Sequence, residues 1–207
     1  MNIAILIFDE LTALDAVGPY EVLSRIPGVN LVFVAKEAGP KRTDTGALSL
    51  VAEAELADAA EPEIVVVPGG QGNRPLLEDE EVLSWVREAH AAGAWTTSVC
   101  TGSLVLGAAG VLEGLRATSH WAHREKLAAY GALPVAERVV FEGRVVTSAG
   151  VSAGIDMALR LTAEITRPEV AQAIQLGIEY DPDPPFAAGS PETAPPSIVE
   201  LVRALEG

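Results

Sequence analysis

The chain has a single cysteine, Cys100, only two methionines, and aromatic residues make up 5% of its 207 positions. One thiol excludes an internal disulfide framework and fits a reducing compartment, so a cytoplasmic location is expected. Basic residues are also scarce. Against 29 Asp and Glu stand 14 Lys and Arg, for a formal net charge of −15. So acidic a chain is poorly suited to a phosphate backbone, and no nucleic-acid partner is expected. No apolar run reaches the length of a bilayer span, so no membrane partner is expected either. The opening M-N-I-A-I-L-I-F-D-E lacks a basic segment and a small-residue cleavage site, and reads as a strand, not a signal. What is abundant is apolar: 49% hydrophobic against 21% charged residues, the balance of a globular protein. The length predicts one domain, residues 1–207, large enough for a sizeable core.

The lone cysteine lies in A-W-T-T-S-V-C-T-G-S-L-V-L-G-A-A-G, residues 94–110. Residues 95–99 are β-branched and aromatic with no charge, which predicts a buried strand; 103–109 are small and aliphatic, which predicts a helix. Cys100 then occupies a sharp strand-to-helix turn, analogous to the serine elbow of hydrolases. The exposed N–H groups and dipole of the helix would favour an anion there, so a lowered thiol pKa and a nucleophilic thiolate are expected. The alternative is a small, inert core residue.

Residues 2–8, 29–35 and 63–67 read as further strands. Asp15 reads as lying in a loop ahead of a helix that begins near Pro19. Residues 39–44 look turn-like, 48–51 like a short hairpin arm, and 54–60 like a polar connection. An amphipathic helix is expected over 76–92 with Gly93 as its C-cap. Residues 116–119 suggest a short strand and 121–130 a helix capped by Gly131. Residues 138–141 and 144–147 flank Glu142-Gly143, a hairpin signal. Helices are expected over 152–165 and 168–177, then a proline-rich loop or tail over 180–196 and a terminal helix over 198–205. Alternating strands and helices imply an α/β sandwich with a mostly parallel sheet. Ligand sites in such sheets lie at the carboxyl ends of the strands, where Asp15, Gly69-Gly70 and Cys100 would converge.

Each of these residues has two readings. Asp15 is a helix cap or a carboxyl beside the thiol. Ionised, it raises the thiol pKa; protonated, it donates to the thiolate, and the pair titrates as a unit. Gly69, Gly70 and Gly72 in P-G-G-Q-G are turn residues or offer backbone N–H groups to a bound polar atom. The absence of G-K-[ST] argues against nucleotide binding. Thr101 fills a first helical turn or touches substrate and thiol. His120 and His123, in S-H-W-A-H, have too few companions for a zinc site, and His120 is an alternative base for Cys100. His90 reads as a surface residue. Residues 150–156, G-V-S-A-G-I-D, form a second strand-to-helix turn with Ser152 as cap, and backbone at Val151 lines the site if the turn reaches it. Tyr180, with Asp181 and Asp183, covers a pocket or sits on a solvated loop.

Taken together, the chain resembles the ThiJ/PfpI superfamily over essentially its whole length. The resemblance rests on L-D-A-V-G-P-Y-E-V-L at 14–23, V-P-G-G-Q-G at 67–72 and T-S-V-C-T-G-S-L-V-L-G-A-A-G at 97–110. R-A-T-S-H-W at 116–121, A-G-I-D at 153–156 and P-P-F-A-A-G-S-P-E-T-A-P at 184–195 extend it toward the isocyanide hydratase branch. The resemblance implies a flavodoxin-like three-layer sandwich, a homodimer, a small-molecule substrate and no metal or organic cofactor. It implies Cys100 as nucleophile, Asp15 as catalytic acid and base, and Thr101 as a supporting residue. Gly69, Gly70, Val151 and Tyr180 would contact substrate. Protease-like members carry His directly after the cysteine, where this chain has Thr101, which argues against a peptidase. Regulators with similar domains carry a C-terminal helix-turn-helix, for which a chain ending at Gly207 leaves no room. The competing expectations are a glyoxalase- or deglycase-like enzyme acting on small α-oxoaldehydes, and a cysteine-based redox sensor or stress protein.

Overall fold

The computed structural model describes residues 1–59 and 61–206. In chain order the elements are β1 (Asn2–Leu6), α1 (Ala13–Leu23), β2 (Asn30–Ala35), β3 (Gly39–Arg42), β4 (Ser49–Ala52), β5 (Ala54–Glu55) and β6 (Ile64–Val67). Then come α2 (Glu80–Ala91), β7 (Trp95–Val99), α3 (Gly102–Ala108), β8 (Arg116–Ala117), β9 (Leu133–Pro134), β10 (Val139–Glu142) and β11 (Val145–Ser148). Three helices close the chain: α4 (Ala153–Ile165), α5 (Pro168–Gly177) and α6 (Pro196–Glu206). No helix among the described residues is long and apolar enough to cross a membrane.

The central sheet has seven strands in the order β10-β11-β7-β6-β1-β2-β5. All its pairings are parallel except the β10–β11 hairpin. The middle strands are the unbroken apolar runs of the sequence. Every residue of β6 is 0% exposed, as a parallel strand covered on both faces requires. Helix α4 packs against α1 and α5, while α2 packs against α3, so the sheet is clothed on two sides. The chain steps from β1 out to β2 and then back across β1 to β6. The crevice at the carboxyl ends of β1 and β6 is therefore the topological switch point, the place where such sheets bind ligands.

The expected strands at 2–8, 29–35, 63–67 and 95–99, the 138–147 hairpin and the helix at 168–177 are all present. Other expectations need correction. Helix α1 begins at Ala13, not near Pro19, and Asp15 sits in its first turn. Pro19 lies inside the helix, where Gly18 lets α1 approach Ile155 of α4 closely and a Cβ on Gly154 would lie 3.2 Å from the Pro19 ring. Residues 39–44 are not merely a turn, since β3 pairs antiparallel with β4. The helix expected from residue 76 is a 3-10 turn, Pro75–Glu78, followed by α2, which Asp79 caps by accepting from the Glu81 N–H at 3.2 Å. Residues 121–130 hold a 3-10 helix, Arg124–Tyr130, ended by Gly131 at φ 76°. Of the polar connection expected at 54–60, residues 54–58 form β5 and a short 3-10 turn, and Ala60 lies outside the described residues.

Candidate active site

The turn after β7 is a nucleophile elbow. Cys100 has φ 57°, a left-handed conformation that a non-glycine residue adopts at a cost of about 1–3 kcal/mol. Its surroundings hold it there. The Cys100 N–H is shared between the carbonyls of Ser148 (3.2 Å) and Ala149 (3.3 Å), and the Cys100 carbonyl accepts from the hydroxyls of Ser103 (3.1 Å) and Ser119 (3.0 Å). Directly after the elbow, a Cβ on Gly102 would lie 2.0 Å from the Val67 carbonyl oxygen, so only glycine lets α3 start so close to β6. Gly102→Ala is expected to destabilise the protein by about 3 kcal/mol or more, read as a lower urea midpoint, because backbone would have to move.

Asp15 reaches the same spot from α1. It is 0% exposed, and its Oδ2 accepts from the Gly69 N–H at 2.9 Å. Its Oδ1 is buried and has no hydrogen-bond partner among the described residues. Burial pushes the Asp15 pKa up to about 7, with the negative charge of Asp44 a minor contributor; the Gly69 amide and the adjoining Cys100 thiol pull it part of the way back. The thiol is raised well above its ordinary value, chiefly by burial and next by the Asp15 charge. Contacts with Thr101 lower it without compensating. The thiolate-stabilising helix terminus expected from the sequence is thus overridden. The thiol is 6% exposed, and its neighbour is an acid in a dry pocket.

The glycines after β6 serve the pair differently from the sequence expectation. The Gly69 amide is taken by Asp15, the Gly70 amide by Thr101 Oγ1 (3.2 Å) and the Gly72 amide by the Glu10 carbonyl (3.1 Å). A Cβ on Gly69 would meet Thr101 Oγ1 at 2.5 Å and Asp15 Oδ2 at 3.0 Å, so this glycine lets α1, β6 and the elbow meet. Asn73 went unnoticed in the sequence, where Q-G-N reads as an ordinary turn. Its buried side-chain amide donates to the Thr101 carbonyl at 2.9 Å.

Above the pair opens a cavity of about 430 Å³, onto which Gly70, Cys100, Thr101, His120 and Val151 all face. A Cβ on Gly150 would lie 2.5 Å from the His120 ring and 3.1 Å from Cys100 Sγ, so this glycine leaves room for both side chains. Gly69 contacts Asp15 beneath the cavity instead of lining it. Tyr180 also stands apart, its hydroxyl donating to the Asp156 carboxylate, which pairs with Arg138. Ser152 makes no side-chain cap, and its hydroxyl accepts from Arg138. His90 is half-buried against Thr96, not on the open surface.

Residues 1–164 match the DJ-1/PfpI family. Over 203 residues, 98% of this chain and 89% of the other, it is 45% identical to isonitrile hydratase of Pseudomonas putida. It is 25% identical to glutathione-independent glyoxalase DJR-1.2 of Caenorhabditis elegans over 71% of this chain and 79% of that one. The crystal structure of a ThiJ/PfpI family protein from Pseudomonas syringae superposes with a TM-score of 0.95 at 40% identity, covering 99% of this chain and 85% of that one. The sheet, the cysteine elbow and the acid beside it all fall within the matched span, and the chain belongs to the DJ-1/PfpI family.

Proposed function

We propose that this protein is an isocyanide hydratase, which adds water to R–N≡C and releases an N-substituted formamide, with Cys100 as nucleophile and Asp15 as acid and base. The observation that carries the reading is the buried Cys100–Asp15 pair at the base of a cavity. The 45% identity to the Pseudomonas putida enzyme supports the choice of substrate.

The reactive form holds one proton between the two groups. Cys100 sulfur bonds to the terminal isocyanide carbon while its proton passes to Asp15. Asp15 then delivers that proton to the same carbon, giving the thioimidate R–N=CH–S–Cys100. Asp15, again a carboxylate, takes a proton from water as the oxygen adds to the carbon and passes that proton to the nitrogen. The adduct R–NH–CH(OH)–S–Cys100 expels the sulfur, the proton returns to the pair, and R–NH–CHO leaves. A site dry enough to lift the Asp15 pKa to about 7 keeps this shuttle near balance at neutral pH. Gly70 and Val151, which face the cavity, and Thr101 beside the sulfur are the substrate contacts of this reading. A homodimer in the cytoplasm, working without metal or organic cofactor, completes it.

The purified protein is expected to convert benzyl isocyanide to N-benzylformamide, followed by chromatography, with methylglyoxal assayed in parallel. Methylglyoxal consumption without formamide would instead place the chain with the glyoxalase-like relatives.

A further inference from the structure

The cavity above Cys100 is basic on one side, in a chain that is otherwise strongly acidic. Arg74 and Lys126 line it, together with two of the chain's three histidines, His120 and His123. Its single acidic residue, Asp44, accepts from the Thr12 hydroxyl (2.7 Å) and from the Thr45 N–H (2.7 Å). Elsewhere Arg25, Lys36, Arg87, Arg116, Arg124 and Arg138 each pair with a carboxylate, while the remaining Lys and Arg outside the cavity form no ion pair among the described residues. Arg74 and Lys126 pair with none among the described residues, although acidic side chains outnumber Lys and Arg by 29 to 14. They come from two separate segments, the turns after β6 and the 3-10 helix Arg124–Tyr130, and both segments pack on α3. Leu77, Leu104 and Ala129 give the cavity an apolar patch beside these charges, with Thr12, Gln71 and Tyr130 also on its lining.

Resting on the hydratase reading above, we propose that the preferred substrates are isocyanides whose substituent carries a carboxylate. The apolar patch takes the hydrocarbon portion, Arg74 and Lys126 take the anion, and the isocyanide carbon lies at Cys100. The product is then an N-formyl compound that keeps its carboxylate. Arginine offers a planar fork matched to a carboxylate, and lysine adds a mobile point charge. A basic-rimmed cleft in an acidic chain also raises the local concentration of anions at its mouth.

The test compares 4-isocyanobenzoate with its neutral methyl ester, two substrates that share the reacting group and ring. The expected result is a kcat/KM about 10-fold higher for the acid at low ionic strength, the size of one good charge-assisted contact. That advantage should shrink as sodium chloride is added and fall to about 1 in the double variant Arg74→Gln/Lys126→Gln. Equal or better turnover of the ester by the wild type, or a preference that survives the double variant, overturns the proposal. Binding of 4-formamidobenzoate against its methyl ester, measured by calorimetry, reads the anion subsite without any turnover. If neither isocyanide reacts but the acid product still binds better, the hydratase reading fails and the anion subsite stands. If the ester reacts and binds as well as the acid, the subsite fails and the hydratase reading stands.

Discussion

Cys100→Ala is expected to lower formamide production by about 10⁴-fold or more while leaving the fold intact. Without sulfur no thioimidate forms, and uncatalysed water must attack the isocyanide carbon directly. The fold should survive because the removed group is one small atom at a site whose backbone is held by four hydrogen bonds, none of them to the thiol. Circular dichroism and a urea midpoint close to wild type would establish that. Activity within tenfold of wild type would remove the covalent route altogether. A further comparison separates chemistry from backbone: Cys100→Gly should be at least as stable as Cys100→Ala, since glycine relieves the left-handed conformation at φ 57° that alanine keeps.

Asp15→Asn is expected to cost about 10²–10⁴-fold in kcat, the range associated with one positioned acid or base. The amide preserves shape but cannot pass a proton. In the wild type, kcat/KM should rise with pH through about 7 as the pair loses its first proton, and this limb should vanish in the variant. The same substitution has a stability signature of determined sign. The folded state holds the Asp15 proton up to about pH 7, whereas the unfolded chain releases it near 3.8. The stability this contributes is fully present below 3.8, declines as pH rises, and is gone above about 7. At about 1.4 kcal/mol per pH unit the loss amounts to about 4 kcal/mol. The asparagine protein does not suffer it, so its stability relative to wild type should improve by about that amount between pH 4 and pH 8. Urea melts of both proteins at the two pH values measure it. A constant difference across that range would mean that Asp15 is not held protonated.

The sequence was most legible where one physical signal dominated. Unbroken β-branched runs marked β1, β6 and β7, and the strand-to-helix handover placed Cys100 at its elbow. Spacing along the chain then brought Asp15 and Gly69 to neighbouring strand ends, and the structure joins them by a 2.9 Å hydrogen bond. What stayed hidden depends on contacts between distant segments. Gly18-Pro19 reads locally as a break, but α1 runs through it, packed closely against Ile155 and Gly154. The amides of Gly69 and Gly70 looked available for substrate, and only their partners Asp15 and Thr101 show otherwise. For the thiol, the sequence offered a helix terminus that lowers the pKa and an ionised Asp15 that raises it; the depth of burial, the largest cause of the upward shift, is not visible in sequence. Tyr180 reads in sequence as a pocket cover or a solvated loop residue, and the structure sets its hydroxyl against Asp156, which pairs with Arg138, away from the cavity.

The two walls of the crevice have different origins. Cys100 and the Gly69 amide follow directly on β7 and β6, and Asp15 stands on the first turn of α1 against them. Arg74, Leu77, Lys126 and Ala129 instead stand on two short turns of 3-10 helix and their flanks, outside the sheet altogether. The two supports meet at Thr101, where the Gly70 amide and the Asn73 side chain fasten the turn after β6 to the elbow. Charge and bulk at Arg74, Leu77, Lys126 and Ala129 can therefore be exchanged to retarget the enzyme, provided that Gly70 and Asn73 keep their hold on the elbow.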